Sequence, residues 1–307
     1  MRRDRERRQR REGRPEQSKS RSSSFRRPGQ LRQSPERASR RPHSARGAAA
    51  EGETEIREDR LEGRNPILEA IRAGRAIDKL WVLKDAKGHA ADPRLRDLIQ
   101  RAKAAGAVLI ETERAALDRI SQTHAHQGVI AQVAMHSYQD LDTILDAAEA
   151  RGEKPFLLIL DEIKDAYNLG AMLRIAEAAG MHAVVFPKRR AVGLDAVVAK
   201  TSAGAVEYIP CCRVSNLRQC ITALKKRGVW IVGTSPAATE THDACDLSGP
   251  LALVVGSEGE GMRDSTMKAC DRLIRIPMKG SVNSLNAASA ASVVVFEALR
   301  QRDASSR

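Results

Sequence analysis

The sequence has 307 residues, of which 42% are hydrophobic, and this is enough for two domains with apolar cores. Residues 1–50 hold 17 Lys and Arg against 5 Asp and Glu, whereas residues 51–307 hold 35 against 34, so the net charge of +13 belongs almost entirely to the first 50 residues. No stretch reaches the roughly 18 consecutive apolar residues of a membrane-spanning helix, and the sequence therefore excludes that class of protein.

Residues 1–57 form a segment rich in Arg, Ser, Pro and Gln and almost free of apolar side chains. Such a segment cannot bury enough surface to offset the loss of conformational entropy, so we predict a disordered basic tail. An Arg-rich flexible segment suits a phosphate backbone, because binding releases counterions. A segment that only improves solubility has the same composition, and the sequence leaves both interpretations open.

The start of the chain does not resemble a targeting segment. No apolar region follows the first basic residues, as it would in a signal peptide, and acidic residues interrupt the basic run, unlike a transit peptide. The five cysteines include no C-x-x-C pair, and their odd number argues against a disulfide framework. We therefore expect a cytoplasmic protein whose reduced thiols fill small spaces in the core.

Residues 58–134 alternate between helical and strand patterns. The segment NPILEAIRAG places Ile67, Leu68 and Ile71 on one helical face, and Gly74 is a natural end for that helix. The segments KLWVL, AVLIE and GVIAQVA have the composition of strands, and the helical segment DPRLRDLIQRAKAAG lies between the first two. This pattern predicts a small α/β domain of ordinary size.

Residues 135–154 have the character of a linker. The segment DLDTILDAAEARGEKP predicts a short helix that ends at Gly152 and is followed by a polar hinge before Pro155.

From residue 155 onward, apolar segments alternate with amphipathic helices. We predict strands at 156–160, 183–186, 229–233, 251–256 and 273–277. Continuous Val, Ile and Leu segments of this kind are typical of a parallel sheet that is covered on both faces. Ligands bind such sheets at the carboxyl ends of the strands, so the loops after residues 160, 233, 256 and 277 are the candidates for chemistry.

The first of these loops leads into a helix in the segment LDEIKDAYNLGAMLRIAEAAG. We predict that Asn168 caps the helix, that Gly170 lies in its first turn and that Gly180 closes it. Considered alone, Arg174 would form only a surface ion pair with Glu177 three residues later.

The loop after residue 256 has the sequence VVGSEGEGM, with three glycines in six residues. Glycine at this density indicates a tight turn or a close backbone approach. The loop matches neither G-x-G-x-x-G nor a P-loop, so no nucleotide fingerprint is present. Glu258 is the exception in this loop, because a carboxylate among glycines has no evident packing role.

The last loop, IPMKGSVNSLNAASAAS, precedes the final helix. We predict Ser284 as the N-cap, which leaves Asn283 and Asn286 without a structural role.

Together these three segments resemble the three motifs of the SpoU-type (SPOUT) RNA 2′-O-ribose methyltransferases, in the family's order and spacing over residues 155–303. Ala166 stands where that family usually has proline. Residues 58–134 also resemble the family's substrate-binding domain, through GRNPILEAI and HQGVIAQV, and the pairing is most similar to the bacterial 23S rRNA guanosine 2′-O-methyltransferase branch. The matching motif residues are Asn168, Gly170, Arg174 and Gly180; Gly256, Glu258, Gly259 and Gly261; and Pro277, Gly280, Ser284, Leu285, Asn286 and Ala291.

The resemblance implies an α/β parallel-sheet SPOUT methyltransferase domain over residues 155–303 with a carboxyl-terminal trefoil knot, a feature that periodicity alone would not suggest. It also implies a homodimer, an RNA substrate, S-adenosylmethionine as the cofactor, and no metal. The cofactor is expected against Thr234, Gly256, Ile276, Pro277 and Leu285.

The same resemblance assigns catalytic roles. Arg174 would activate the ribose hydroxyl, but a guanidinium stays protonated, so stabilising the forming alkoxide or gripping the adjacent phosphate suits it better than acting as a base. Glu258 would orient Arg174 or take the proton. Asn168 would hold the ribose or phosphate, and Ser284 and Asn286 would reach the substrate or cofactor.

Other functions remain open from the sequence. A tRNA 2′-O-methyltransferase of the same family is one alternative, and a non-catalytic RNA-binding dimer scaffold is another. An enzyme that uses a dinucleotide is disfavoured, because no phosphate-binding fingerprint is present. The pair His124 and His126 suggests a metal, but no third ligand is near in the sequence, so a structural turn or an RNA contact is favoured.

Overall fold

A computed structural model of the chain describes residues 59–84, 92–281 and 284–305. The tail over residues 1–57, for which we predict disorder, lies outside the described residues, and so does Asn283. Helices and strands in the described part alternate as the sequence predicts, and they form two separate sheets.

The first sheet has four strands in the order β1-β4-β2-β3, and only β2 and β3 run parallel. Its strands are β1 (Arg60–Glu62), β2 (Ile77–Leu83), β3 (Val108–Thr112) and β4 (Val129–Val133). Its helices are α1 (Arg64–Arg72), α2 (Pro93–Ala104) and α3 (Arg114–Ile120). The three predicted strands and two predicted helices are confirmed, whereas β1 and α3 are additional, and both are short.

Helix α1 has the face that its sequence predicts. Ile67 is fully buried, and Leu68 and Ile71 are partly buried against the same core. Gly74 follows the helix with a φ of 75°, a left-handed conformation that favours glycine. The predicted linker helix is confirmed as α4 (Leu141–Ala150).

The second sheet has seven strands, all parallel, in the order β7-β6-β5-β10-β8-β11-β9. The strands are β5 (Phe156–Asp161), β6 (Ala183–Pro187), β7 (Cys211–Val214), β8 (Trp230–Thr234), β9 (Glu240–Thr241), β10 (Leu251–Gly256) and β11 (Arg272–Arg275). All five predicted strands are confirmed, and the predicted parallel direction is confirmed. Strands β7 and β9 lie at the two edges of the sheet and were not predicted.

Helices cover both faces of this sheet. They are α5 (Ala166–Ala178), α6 (Ala196–Thr201), α7 (Leu217–Lys226), α8 (Asp264–Met267) and α9 (Ala287–Ser305). Alternate residues of β5 enter two different cores: Leu158 packs with α5 and α9, and Leu157 packs with α4 and α7. Burial on both faces explains why the strands are continuous apolar segments rather than alternating ones.

The centre of the sheet brings the carboxyl ends of four strands together. Gly256 at the end of β10 is paired in register with Asp161 at the end of β5, and β8 and β11 follow on the other side of β10. After β5, the chain adds β6 and β7 toward one edge of the sheet, and β8 then lies toward the opposite edge. The strand order therefore reverses between β5 and β10. Ligands of open α/β sheets bind at such a point.

None of the described helices is both long and apolar enough to cross a membrane.

The trefoil knot expected at the carboxyl-terminal end of residues 155–303 stays a prediction.

Candidate active site

The loop after β10 folds back on itself. The backbone N–H of Ser257 donates to the carbonyl of Gly261, and the N–H of Gly261 donates to the carbonyl of Ser257, each at 3.0 Å. Gly259 and Gly261 adopt φ angles of 93° and 71°, which favour glycine. The loop therefore forms a closed turn that holds Glu258 near its tip.

An ion pair between a buried carboxylate and a partly exposed arginine fixes the end of this loop. Asp161, whose exposed fraction is 0%, accepts from the backbone N–H of Arg263 at 3.0 Å and from its Nε at 2.9 Å. The Arg263 Nη2 lies 2.6 Å from the same carboxylate, and this hydrogen-bonded pairing raises the pKa of Arg263. Because the pair joins the end of β5 to the residue after the loop, it holds the Glu258 turn against the strand that leads to α5.

Asn286 joins the three predicted motifs. Its Nδ2 donates to Asn168 Oδ1 at 2.9 Å and to Glu258 Oε2 at 2.8 Å. Its Oδ1 accepts from the backbone N–H groups of Ala288 at 3.0 Å and Ser289 at 3.3 Å. The cap fixes the orientation of the amide, so the Nδ2 group has to face Asn168 and Glu258.

The predicted capping residues are wrong at both helices. Asp165, rather than Asn168, caps α5 by accepting from the N–H groups of Tyr167 and Asn168. Asn286, rather than Ser284, caps α9. In both cases an Asx residue lies directly before the helix, and a stricter use of N-cap preference would have found it.

Arg174 is exposed on α5 and forms no ion pair or hydrogen bond within the described part of the chain, so the surface pair with Glu177 is absent there. It lies six residues after Asn168, which corresponds to about 9 Å along the helix and roughly 120° around it. The structure therefore joins Asn168, Glu258 and Asn286 into one group and leaves Arg174 outside it. Glu258 is held by Asn286 and is not bonded to Arg174.

A cleft opens beside this group at the carboxyl ends of β8, β10 and β11. Its lining includes Thr234, Gly256, Ile276 and Leu285 of the predicted cofactor residues, together with Glu258, Ser284 and small or apolar side chains. Pro277, the fifth predicted residue, is not in the described lining. Thr234 Oγ1 donates to the carbonyl of Val254 at 3.3 Å and is thereby oriented within the cleft.

We expect Asn286→Asp to reduce the reaction rate by about 10- to 100-fold while leaving stability near that of the unchanged protein, because aspartate caps a helix as well as asparagine does. The change removes the Nδ2 donor and places a second carboxylate beside Glu258. Thermal unfolding and initial rates measure the two effects separately.

Asn286→Ala is the matched comparison for this prediction. It also loses the cap, and we expect a further loss of about 1 kcal/mol of stability. Full activity in Asn286→Asp would show that the contact with Asn168 and Glu258 has no functional role.

The His124–His126 pair is part of a turn. His126 is buried and held by Asp118 at 3.0 Å and by the N–H of Gly128 at 3.0 Å, whereas His124 is exposed. Across the described residues, no group of three or more His, Cys, Asp or Glu side chains is placed to hold a metal ion.

The cysteines are free thiols, three of them buried. Burial raises the pKa of Cys212 to about 12 and that of Cys220 to about 11, so these thiols stay protonated and unreactive at neutral pH. They act as small apolar side chains.

Comparison with known proteins gives two family matches. Residues 155–296 match the SpoU rRNA Methylase family, and residues 60–139 match the family described as RNA 2′-O ribose methyltransferase substrate binding. The order of the two matches is the order that the sequence motifs indicate.

Several relatives align with most of the chain. YacO of Bacillus subtilis, whose name assigns it to the TrmH family of tRNA/rRNA methyltransferases, is 45% identical over 80% of this chain and 96% of its own length. The 23S rRNA (guanosine-2′-O-)-methyltransferase RlmB of Ralstonia nicotianae is 44% identical over 74% of this chain and 89% of its own. The SpoU methyltransferase AviRb of Streptomyces viridochromogenes, solved with AdoMet, has a TM-score of 0.68 at 26% identity and covers 80% of this chain and 90% of its own.

Proposed function

The chain belongs to the SpoU rRNA methylase family, and from this we propose that it transfers the methyl group of S-adenosylmethionine to the ribose 2′-hydroxyl of a guanosine in 23S rRNA. The observation that carries the proposal is the group formed by Asn168, Glu258 and Asn286 beside the cleft, because it assembles one polar residue from each motif of the family. The sequence similarity to RlmB supports guanosine and 23S rRNA as the target.

The cleft suits S-adenosylmethionine. Ile276 and Leu285 offer apolar surface, and Gly256 contributes to the lining without a side chain that would fill the cleft. Thr234 and Ser284 add hydroxyl groups to the lining. When bound, this cofactor supplies a methyl group on a cationic sulfur, which is electrophilic without a metal.

A ribose hydroxyl is a weak nucleophile and has to lose its proton as it attacks, so the site needs a proton acceptor. We assign this role to Glu258. Asn286 occupies Oε2 of Glu258, and Oε1 forms no hydrogen bond with any described residue, which leaves one oxygen for the proton. Asn168, positioned by the same amide, holds the ribose or its phosphate.

We assign stabilisation of the developing alkoxide, or of the adjacent phosphate, to Arg174. Its guanidinium stays charged, and its planar arrangement of donors suits oxyanions. No ion pair with a described residue competes for it, so it remains available to the substrate.

Exposed apolar side chains on α9 are consistent with a homodimer. Val293 and Phe296 on α9 are 38% and 44% exposed. We propose that a second copy covers these apolar side chains, next to the site.

The family relationship also supports three further proposals. The segment that carries Asn286 forms a knot, the domains span residues 58–134 and 155–303, and the protein is located in the cytoplasm, where rRNA is made.

Two measurements test the function. Mapping of 2′-O-methyl groups on rRNA and tRNA from a deletion strain should show the loss of one guanosine modification in 23S rRNA, and complementation should restore it. Calorimetric titration should show S-adenosylmethionine binding. Loss of a tRNA modification instead would assign the chain to the tRNA branch, and absence of cofactor binding at millimolar concentration would leave a non-catalytic scaffold.

A further inference from the structure

The segment of residues 200–208, here called the coupling segment, contacts both the region of the first sheet and helix α5, which carries Asn168. It begins at the end of α6 and includes a 3-10 turn over Ala205–Glu207. Apolar residues of both regions, such as Ile67 and Val206, belong to one continuous core.

Lys200 holds a turn of the first-sheet region. Its Nζ donates to the carbonyl of Ala125 at 3.0 Å and to Thr123 Oγ1 at 3.3 Å. The neighbouring residues His124 and Gln127 have φ angles of 51° and 53°. The backbone is strained at such angles in residues other than glycine. Strained, exposed residues of this kind persist only where surrounding contacts fix them.

A buried carboxylate organises the same turn. Glu62, with an exposed fraction of 0%, accepts from Ser121 Oγ at 2.7 Å, from the N–H of Thr123 at 3.1 Å and from Thr123 Oγ1. Burial opposes its ionisation, but the hydrogen bonds from Thr123, Ser121 and Gln122 together hold its pKa below the ordinary value. Thr123 Oγ1 thus donates to Glu62 and accepts from Lys200, so the turn is fixed from both sides.

The next residue contacts the helix that carries Asn168. Thr201 Oγ1 lies 3.3 Å from the carbonyl of Ala166, the first residue of α5, and 2.8 Å from that of Val197. A Cβ on Gly170 would lie 1.9 Å from Thr201 Oγ1, so α5 and α6 are in close contact at this glycine. A displacement of α6 is therefore transmitted to the start of α5.

A second set of contacts attaches the other end of the coupling segment to the first-sheet region. Arg75 Nη1 lies 2.8 Å from Glu207 Oε1, and their side chains are only 11% and 3% exposed. The hydroxyl of Tyr208 donates to Glu69 Oε2 at 2.7 Å. The coupling segment is therefore attached to the first-sheet region at both of its ends. Two attachment points resist rotation of the segment against that region as well as separation from it.

We propose that Lys200 is a positioning residue: by holding the 121–127 turn against α6, it sets where RNA bound to the first-sheet region presents its ribose to Asn168 and Glu258. This inference rests on the proposed function, since it concerns how the RNA reaches that site. The lysine does not touch the reacting atoms. It connects the turn to α6, and Thr201 connects α6 to the start of α5, which carries Asn168.

Lys200→Met keeps the aliphatic chain and removes the charged donor. We expect kcat for RNA methylation to fall about 10- to 100-fold, with the RNA KM and the S-adenosylmethionine Kd changed by less than about twofold, because misplacement by 1 Å costs this much in rate. Lys200→Arg should retain about half of the activity or more, since it restores a charged donor. Lys226→Met, at an exposed lysine on α7, is the matched control and should leave all three quantities unchanged.

Hydrogen exchange in the RNA-free protein gives a second readout. Lys200→Met should speed exchange in residues 121–126 and in 166–170 together, whereas Lys226→Met should change neither. This readout decides the coupling even if the wild-type chain methylates no RNA, an outcome that would refute the proposed function alone.

Two results would overturn the inference. One is an unchanged kcat in Lys200→Met. The other is a loss of RNA affinity that matches the loss of kcat/KM, with a flatter salt dependence and unchanged hydrogen exchange; this would make Lys200 a direct phosphate contact.

Discussion

Arg174→Ala is expected to reduce kcat for RNA methylation by about 10²- to 10³-fold, the range found when one donor to a developing oxyanion is removed. Cofactor affinity and thermal stability should stay unchanged. The side chain is exposed and makes no hydrogen bond or ion pair with a described residue, so its loss removes no contact that holds the fold. Single-turnover methylation and calorimetric titration with S-adenosylmethionine measure the two quantities.

Two further variants sharpen this test. Arg174→Lys keeps the charge but loses the planar pair of donors, and we expect it to recover only part of the rate. Arg218→Ala removes an exposed arginine from α7, on the other face of the sheet, and should have no effect on kcat. A fully active Arg174→Ala would exclude the guanidinium from the mechanism.

The central strands of the second sheet could be predicted because burial on both faces makes them apolar throughout. The segment LALVVG coincides with β10 residue for residue. Strand β7 was missed because it lies at the edge and is short, with Arg213 following two buried cysteines. The guanidinium of Arg213 lies 4.2 Å from the centre of the Tyr138 ring, a contact between distant segments that no local pattern contains.

The site was predictable as three loops but not as one group. Strand order places the loops after β5 and β10 side by side, and motif order supplies the residues. That Asn286 uses its oxygen for the cap and its nitrogen for Asn168 and Glu258 depends on geometry to within a few tenths of an ångström. Element boundaries, which decide which residue is the cap, are the least certain part of any prediction from sequence.

The same limitation applies to Lys200. In the sequence it is an ordinary lysine at the end of a short helix, and the turn that it holds lies about 75 residues earlier in the chain. Its role becomes visible only when α6 is placed between that turn and α5. Positioning residues of this kind do not touch the reacting atoms, so motif patterns do not identify them.

Gly256→Ala should weaken S-adenosylmethionine binding by about 10- to 100-fold, which corresponds to roughly 1–3 kcal/mol of overpacking strain. An added Cβ would lie 2.1 Å from the carbonyl carbon of Gly261 and 2.2 Å from the amide nitrogen of Met262. Both atoms belong to the backbone, so the whole turn that carries Glu258 has to move. Because this turn also lines the cleft, cofactor affinity should fall together with activity.

Gly249→Ala is the matched control, because a Cβ at Gly249 meets no atom within 4 Å and the residue is not left-handed. It should bind S-adenosylmethionine as the unchanged protein does. Calorimetric titration gives the affinities, and thermal unfolding shows whether the strain in Gly256→Ala is confined to the loop. The Asp161–Arg263 pair anchors the end of that loop to β5, so we expect the turn to distort between its anchors rather than detach. An unchanged cofactor Kd in Gly256→Ala would show that this turn does not form the wall of the cofactor site.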